Sequence, residues 1–528
     1  MAPWWKEGII YQIYPRSFAD SNGDGVGDLP GITSRLDYLR DLGVDGIWLS
    51  PIYPSPMKDF GYDISDYTSI DPVFGSMTEL EELLRQSHAR GIRVVMDMVM
   101  NHTSDQHPWF AESRSSKDNP RRDWYLWRPG RPGGGPPNNW LSVFGGSAWQ
   151  KDEKTGEYYL HLFDASQPDL NWRHPGVKAA MKDTWRFWLD KGVDGFRLDV
   201  AHLLVKHPDF PDKASRFGFT PYARQHHDGH RNRPETHELW KEFRQLLDTY
   251  PDRMAVAEAE VDGLGAEGYY GSGDDELHLA FNFQLFRRPW RAVAIQDAVL
   301  DWDRRIPQLG WPCWVLSNHD FGRHASRWGA GSRTDARAKV AAALLLTLRG
   351  TPFLYYGEEL AMRRASIPRR EMVDPPGLRY WPLYRGRDGF RTPMQWTAGP
   401  TGGFTSGKPW MRLGPGADRL NVERESADPR SVLHWYRRLI ALRRATPALQ
   451  LGTFRTWFDR PGQVFAYTRA LDGQRVSVLL NFGRFSTSVD LPAGSHQVLA
   501  STHREAGAAL GGALKLQGDE ALVLEQRG

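Results

Sequence analysis

The chain of 528 residues contains a single cysteine, Cys313, so no disulfide framework can hold it together. Flanked by Trp and apolar residues, that thiol is expected to sit reduced in the core. No apolar run approaches the roughly 20 residues of a membrane-spanning helix. The longest, Val340–Leu348, reads as a core helix. The N-terminal Met-Ala-Pro-Trp-Trp-Lys-Glu has no apolar signal region. There is no polybasic run and no acidic tail, and the formal net charge is only +3, so no footprint of a nucleic-acid partner is present. No internal repeat is visible. These absences predict a cytoplasmic protein with neither membrane nor nucleic-acid partners, and they leave its oligomeric state open.

With 40% hydrophobic and 25% charged residues, the composition is that of an ordinary globular chain with room for two or three domains. The 22 tryptophans suit ring stacking, but they suit cores equally well. Short apolar strands alternate with helical patterns, which favours parallel βαβ units. Strands are expected near residues 8, 46, 92, 195, 254, 279, 313 and 352. Helices are expected at Ile32–Leu42, Leu80–Arg90, Val177–Lys191, Thr236–Thr249, Ala336–Leu348 and Val432–Arg444. Eight such units predict an α/β fold of the (β/α)8 barrel type. The rhythm breaks between Asn101 and Trp172, a stretch rich in Gly, Pro, Asn and Trp. A structureless loop of that length is improbable, so a small inserted domain is predicted after the third strand. Residues 361–430 read as a long loop region before the last barrel helix. Beyond Pro447 the pattern turns to period-two alternation at Val464–Arg469, Arg475–Asn481, Val489–Leu491 and Ala521–Leu524, which predicts a C-terminal antiparallel β-sandwich. The expected division is 1–100 with 173–446 for the barrel, 101–172 for the insertion and 447–528 for the sandwich.

In such a barrel, chemistry sits at the C-terminal ends of the strands. The third strand ends at Asp97 and is followed by Asn101-His102. The fourth carries Arg197 and Asp199, two residues apart and so on one face. The fifth ends at Glu258 and the seventh at Ser317-Asn-His-Asp320. An isolated Arg-x-Asp is more often a structural salt bridge, and a lone rim histidine is as often structural as functional. Three carboxylates in register with three strand ends are harder to assign to structure alone. Asp199, beside Arg197, is expected to have a lowered pKa and to stay ionised, as a nucleophile must. Glu258 lies among Val256, Ala257 and Ala259 and faces a negative neighbour, so its pKa is expected to rise, as an acid/base requires. Such a pair suits glycoside hydrolysis, where a retaining enzyme holds its two carboxyls about 5–5.5 Å apart. Asp320 would gather the sugar hydroxyls, with His102 and His319 as hydrogen-bond donors.

The segments Asp97-Met-Val-Met-Asn-His-Thr103, Gly195-Phe-Arg-Leu-Asp199, Val256-Ala-Glu258 and Ser317-Asn-His-Asp320 resemble, in order, four motifs of the α-amylase superfamily (glycoside hydrolase family 13). Ala257 departs from the usual Gly before the acid, and Asn318-His-Asp-Phe-Gly-Arg323 departs where Gln-Pro commonly precedes the Arg. Further stretches are most similar to the α-glucosidase and oligo-1,6-glucosidase branch: Tyr11–Phe18, Asp59–Tyr67, Asn138–Phe144, Gln167–Asn171 and Arg391–Trp396. The resemblance covers essentially the whole chain. It implies a retaining, exo-acting α-glucosidase for short oligosaccharides, with Asp199 as nucleophile, Glu258 as acid/base and Asp320 as the third acid. It also implies that Asp59 and Arg391 pair to close a glucose pocket, that Tyr62 stacks on the sugar, and that Phe144 and His102 line the pocket. Val200, directly after the nucleophile, is the residue implied for enzymes that cleave α-1,6 bonds; strict maltases usually carry Thr. Two other readings of the same fold are a transglucosidase or isomerase, such as a trehalose synthase or sucrose isomerase, and a non-catalytic barrel.

Asp20-Ser-Asn-Gly-Asp-Gly-Val-Gly-Asp28 places oxygen donors at Asp20, Asn22, Asp24, the Val26 carbonyl and Asp28. This is the spacing of a calcium loop, except that Gly31 stands where the final Glu would be. A structural Ca2+ is expected there ahead of Mg2+; the bland reading is an Asx-turn loop without an ion.

Overall fold

The computed structural model describes residues 2–259 and 265–527. The near-continuous apolar runs form strands covered on both faces, as parallel strands must be. They are β1 Ile10–Ile13, β2 Gly46–Leu49, β3 Arg93–Val99, β4 Gly195–Asp199, β5 Met254–Ala257, β6 Leu279–Ala280, β7 Cys313–Val315 and β8 Thr351–Tyr355. All pair in parallel in the order β7-β8-β1-β2-β3-β4-β5-β6. A parallel bridge between Asn282 and Trp314 closes the ring. The eight predicted strands are therefore the eight staves of one barrel. Ile10, Trp48, Val95, Val256, Phe281 and Phe353 fill its interior, together with the free thiol of Cys313. Gly195 admits the close approach of β4 to β5, because a Cβ there would lie 2.2 Å from the Met254 carbonyl oxygen.

The surrounding helices follow from local signals. Ser76 and Glu79 form a reciprocal capping box that starts Met77–Ala89, whose Leu80, Leu83 and Leu84 face the core. Pro175 opens Pro175–Asp190, with His174 as its cap. The single helix expected at Ile32–Leu42 is two, Leu29–Thr33 and Leu36–Leu42. Asp28 caps the first, accepting from Gly31 N–H at 2.6 Å. The Thr33 and Ser34 hydroxyls then donate back to the Leu29 and Gly31 carbonyls, competing with continuation of the helix.

Residues 101–172 carry the helix Pro108–Ser113 and a three-stranded antiparallel sheet of Trp127–Arg128, Tyr158–Leu160 and Trp149–Lys151. The 361–430 stretch includes the short helices Pro375–Arg379 and Val422–Ala427. The last barrel helix, Val432–Ala445, leads through Pro447–Gln450 to antiparallel sheets of six and two strands over 453–527. Four of these strands lie at the expected alternating runs. Thr453–Thr456, Ser495–Ser501, Ala509–Leu510 and Ala513–Leu516 are additional. Thr453–Thr456 has no buried residue and pairs on one side only, so apolar alternation could not reveal it. Arg469 ties this sheet to the barrel by donating to the carbonyls of Thr347 at 2.7 Å and Leu449 at 2.9 Å. Among the described residues no helix is long and apolar enough to cross a membrane.

Candidate active site

The C-terminal rim of the barrel gathers its charge around one fully buried guanidinium. Arg197 Nη1 donates to Asp97 Oδ1 and to Asp199 Oδ1, each at 2.8 Å, and Nη2 donates to Glu258 Oε2. Backbone bonds fix the two strand ends: Glu258 N–H donates to the Leu198 carbonyl at 2.9 Å, and Ala201 N–H to the Glu258 carbonyl at 2.8 Å. Val200, between them, has φ of +38°, an uncommon conformation for a β-branched residue.

Sharing one positive charge among three acids decides their proton affinities. The expectation that Arg197 lowers the pKa of Asp199 is corrected. Burial pushes Asp199 up to about 7, Arg197 opposes this only in part, and Asp97 and Asp320 add to the rise. Glu258 is pushed up to about 8, first by burial, against the pull of Arg197 and with the help of Asp199 and Asp320. Of the two, Asp199 is therefore the first to ionise. Both carboxyls thus share one guanidinium at neighbouring strand ends.

A second cationic knot closes the far end. Arg387 donates from Nη2 to Asp59 Oδ1 at 2.7 Å, from Nη1 to Asp320 Oδ1 at 2.9 Å and from Nε to Asp374 Oδ1 at 2.7 Å. Arg391 does not make the expected pair with Asp59. Fully buried one helical turn further on, it donates to the His319 carbonyl at 2.9 Å and to Asp320 Oδ1 at 3.0 Å. Burial would raise Asp320, but His319 and the two guanidiniums outweigh it and hold the acid well below its usual range. Burial pushes His319 itself down to about 4, so near neutrality it is uncharged and the arginines supply the charge.

Gln12 Nε2 lies 2.7 Å from His319 Nδ1 and donates to it, which leaves the ring proton on Nε2. That nitrogen is 2.6 Å from Tyr62 Oη and 3.1 Å from Asp320 Oδ2. Tyr62 in turn donates to Asp97 Oδ2 at 3.1 Å, and its ring stacks on His319 with 6° between planes. Tyr62 is thus packed on a histidine, with one edge on the cavity. His102 Nε2 donates to the Tyr62 carbonyl at 3.0 Å, and Asn101 donates to its Nδ1 at 3.1 Å. Asn101 is held by buried Lys206, which also pairs with Asp169 at 2.7 Å and donates to the Leu204 carbonyl at 3.3 Å. Phe144 packs edge-on against Phe163 and under the Arg387 guanidinium.

These groups face one cavity of about 700 Å³, lined by Asp59, Tyr62, His102, Phe144, Asp199, Val200, Glu258, Asp320 and Arg387 among others. Arg197, His319 and Arg391 stand behind its wall, each bonded to a residue that lines it. Sequence reasoning missed Arg387, Asp374, Phe163 and the role of Gln167, which donates to Asp59 Oδ2 at 3.2 Å. Arg387 lies in an arginine-rich stretch, Arg385-Gly-Arg-Asp-Gly-Phe-Arg391, where nothing local separates one arginine from another.

The 20–28 loop lies apart from the cavity. Asp20 accepts from the N–H groups of Asn22, Gly23 and Gly25, Asp24 from Val26, and Asp28 from Ser21 and Gly31. Among the described residues no three His, Cys, Asp or Glu side chains converge as metal ligands. A cation here would have to draw on Asn22, the Val26 carbonyl and the remaining carboxylate lone pairs.

Residues 12–452 match the family described as alpha amylase, catalytic domain, and residues 452–523 a domain of unknown function, DUF3459. The chain is 44% identical to a probable alpha-glucosidase of Rhizobium meliloti (strain 1021), over 93% of this chain and 91% of the relative. It is 43% identical to an oligo-1,6-glucosidase of Parageobacillus thermoglucosidasius, over 93% and 92%. The crystal structure of an alpha-glucosyl transfer enzyme superposes with a TM-score of 0.94 at 42% identity, covering 100% of both chains.

If Arg387 is the common counter-ion of Asp59, Asp320 and Asp374, replacing it with Met strands buried Asp59 and Asp374 and leaves Asp320 with Arg391 as its one guanidinium. Arg387→Met is expected to cost about 3 kcal/mol or more of folding stability at neutral pH. Urea denaturation of both proteins measures this, and a loss below about 1 kcal/mol would rule out the clamp.

Proposed function

The chain belongs to the α-amylase family of glycoside hydrolases, and from that premise we propose that it is a retaining, exo-acting α-glucosidase releasing glucose from the non-reducing end of short α-glucosides. The observation that carries the reading is the Arg197 bridge, which holds Asp199 and Glu258 together at one end of a cavity that Arg387 closes with Asp59 and Asp320. In the proposed double displacement, Asp199 attacks the anomeric carbon while Glu258 gives its proton to the leaving oxygen. The glycosidic bond breaks and a glucosyl ester forms on Asp199. Glu258, now a carboxylate, takes a proton from water, which attacks the same carbon and frees Asp199 with retained configuration. Asp59, His102, Asp320 and Arg387 would hold the hydroxyls of the terminal glucose.

The second reading is transfer or isomerisation by the same ester, with a sugar hydroxyl in place of water. The likeness to an alpha-glucosyl transfer enzyme favours it. A non-catalytic barrel is disfavoured, because all three acids converge on one cavity. A cytoplasmic setting is proposed with the α-glucosidase reading.

Turnover requires ionised Asp199 and protonated Glu258. With their pKa values near 7 and 8, kcat/KM should climb as pH rises through about 7 and fall again above about 8. The two limbs belong to the coupled pair. Following isomaltose by NMR across this range reads both claims: α-glucose appears first, on a bell-shaped profile. A rearranged disaccharide as main product would replace hydrolysis by isomerisation.

The preferred linkage is proposed to be α-1,6, with α-1,4, α-1,1 or sucrose cleavage secondary. Val200, whose side chain borders the cavity, presents methyl groups where Thr would present a hydroxyl. Val200→Thr is expected to move the ratio of kcat/KM for maltose over isomaltose upward several-fold, the equivalent of about 1 kcal/mol. A ratio that does not move clears Val200 of this role.

A structural Ca2+ in the 20–28 loop, with Mg2+ as the alternative, is proposed from the order of its oxygen donors. An ion bound only to the folded chain stabilises it by mass action. Excess chelator should then lower Tm while the ratio of rates on the two disaccharides stays constant. No shift in Tm, together with no metal by elemental analysis, would leave the loop as a set of Asx turns.

A further inference from the structure

A second cavity, of about 430 Å³, lies beside the C-terminal β-domain and shares no residue with the lining of the active site. Its wall carries Arg287, Arg288, Arg327 and Arg337 with Trp290 and Trp328 and, among the described residues, no aspartate or glutamate. Trp290 packs against Phe482 of the C-terminal domain, and Arg337 Nε stands 3.7 Å from Asp519 Oδ1. A cavity of this size can hold a small ligand, since such sites run from roughly 300 to 1,000 Å³.

Positive charge around it exceeds the negative charge within reach. Arg327 donates from Nη1 to the Gly322 carbonyl at 2.7 Å and from Nη2 to the Leu316 carbonyl, and both acceptors are neutral. Arg337 donates from Nη1 to the Trp328 carbonyl at 3.0 Å. Asp519, the nearest acid to Arg337, already accepts from Arg333 Nε at 2.6 Å. The exposed Arg288 side chain donates at 3.5 Å to Gln284, again a neutral partner. Buried Glu358 acts on Arg327 through space, but it accepts from the Tyr436 hydroxyl and stands 3.6 Å from His324. Among the described residues, Arg288, Arg327, Arg333 and Arg337 thus set four positive charges against two carboxylates, Asp519 and Glu358.

Unused donors point the same way. Arg327 Nε, Arg337 Nε and Trp290 Nε1 are buried without a hydrogen-bond partner among the described residues. Such orphaned donors are few in native proteins, and here all three are of one kind and stand in one wall. The guanidiniums are also fixed in place. Arg327 lies over Phe286 and Trp328, at 5.3 and 4.8 Å from the ring centroids, and Arg337 lies over Trp290 at 5.4 Å. A guanidinium pinned by a ring and a carbonyl needs little further ordering, and its fork fits the oxygens of a phosphate. We propose that this cavity binds a small phosphate-type oxyanion, taken by Arg288 and Arg337 and held in the field of Arg327. The site goes beyond the α-glucosidase reading and does not depend on it. It stands next to the loop of the third acid, because the two carbonyls that Arg327 holds, Leu316 and Gly322, flank Ser317–Asp320.

The test titrates the full chain with inorganic phosphate in a calorimeter, at fixed ionic strength so that general screening stays constant. The expected Kd is about 1 mM or tighter. Tm should rise with phosphate concentration, because an anion bound only to the folded chain stabilises it. Arg288→Glu reverses a charge on an exposed side chain, and Arg337→Gln removes one from the wall. Each should weaken phosphate binding by about tenfold or more. Should Arg337→Gln fail to fold, Arg288→Glu decides alone. No heat of binding, or a gain in Tm that sodium chloride of equal ionic strength reproduces, overturns the proposal. A Kd that stays unchanged in Arg288→Glu places the anion elsewhere, the catalytic cavity included, and overturns it as well.

Discussion

Everything at the rim depends on one buried guanidinium answering more negative charge than it can neutralise. Arg197 is fully buried and bonded to Asp97, Asp199 and Glu258. One positive charge cannot hold three carboxylates ionised away from water, so protons are retained, and burial decides where. Glu258, raised furthest of the three, keeps its proton longest. The difference in proton affinity between Asp199 and Glu258 thus follows from a deficit of charge and not from a special residue. Strands β3, β4 and β5 supply this cluster because they are adjacent and parallel, which brings their C-terminal ends to one level.

The opposite balance operates at the closed end. Asp320 sees two guanidiniums and is held ionised, and Arg387 joins it to Asp59 and Asp374. A site with a proton-holding end and a charge-neutralised end can orient a polar ring between them. The same Arg387 also clasps the neck of the 374–388 excursion, which carries Tyr380, Leu383 and Tyr384. The charge-neutralised end of the cavity and the base of that excursion therefore share one residue.

The barrel was legible because its signals are local. Continuous apolar runs bounded by helices marked every strand, and the carboxylates stood at run ends, where a barrel exposes them. Thr453–Thr456 was not legible, since an exposed edge strand has no apolar alternation to reveal it. The break between Leu29–Thr33 and Leu36–Leu42 was hidden for a different reason: it turns on side-chain bonds of Thr33 and Ser34 that apolar spacing does not register.

By itself the sequence determined the eight strands of the barrel, the presence of an insertion and a C-terminal β-domain, and it singled out the carboxylates that meet at one cavity. Those features rest on residue type and spacing, which a linear chain displays. The tertiary structure alone decided who meets whom. It gave Asp59 to Arg387 instead of Arg391, because two arginines four residues apart point to different depths of the site. It raised the pKa of Asp199 where adjacency to Arg197 suggested a lowering, because burial and the competing acids Asp97 and Asp320 come from other strands. It also set Phe219 and Leu383, 164 residues apart in the chain, on one face. Proton affinity and pocket lining are sums over neighbours in space, and those neighbours exist only once the barrel has closed.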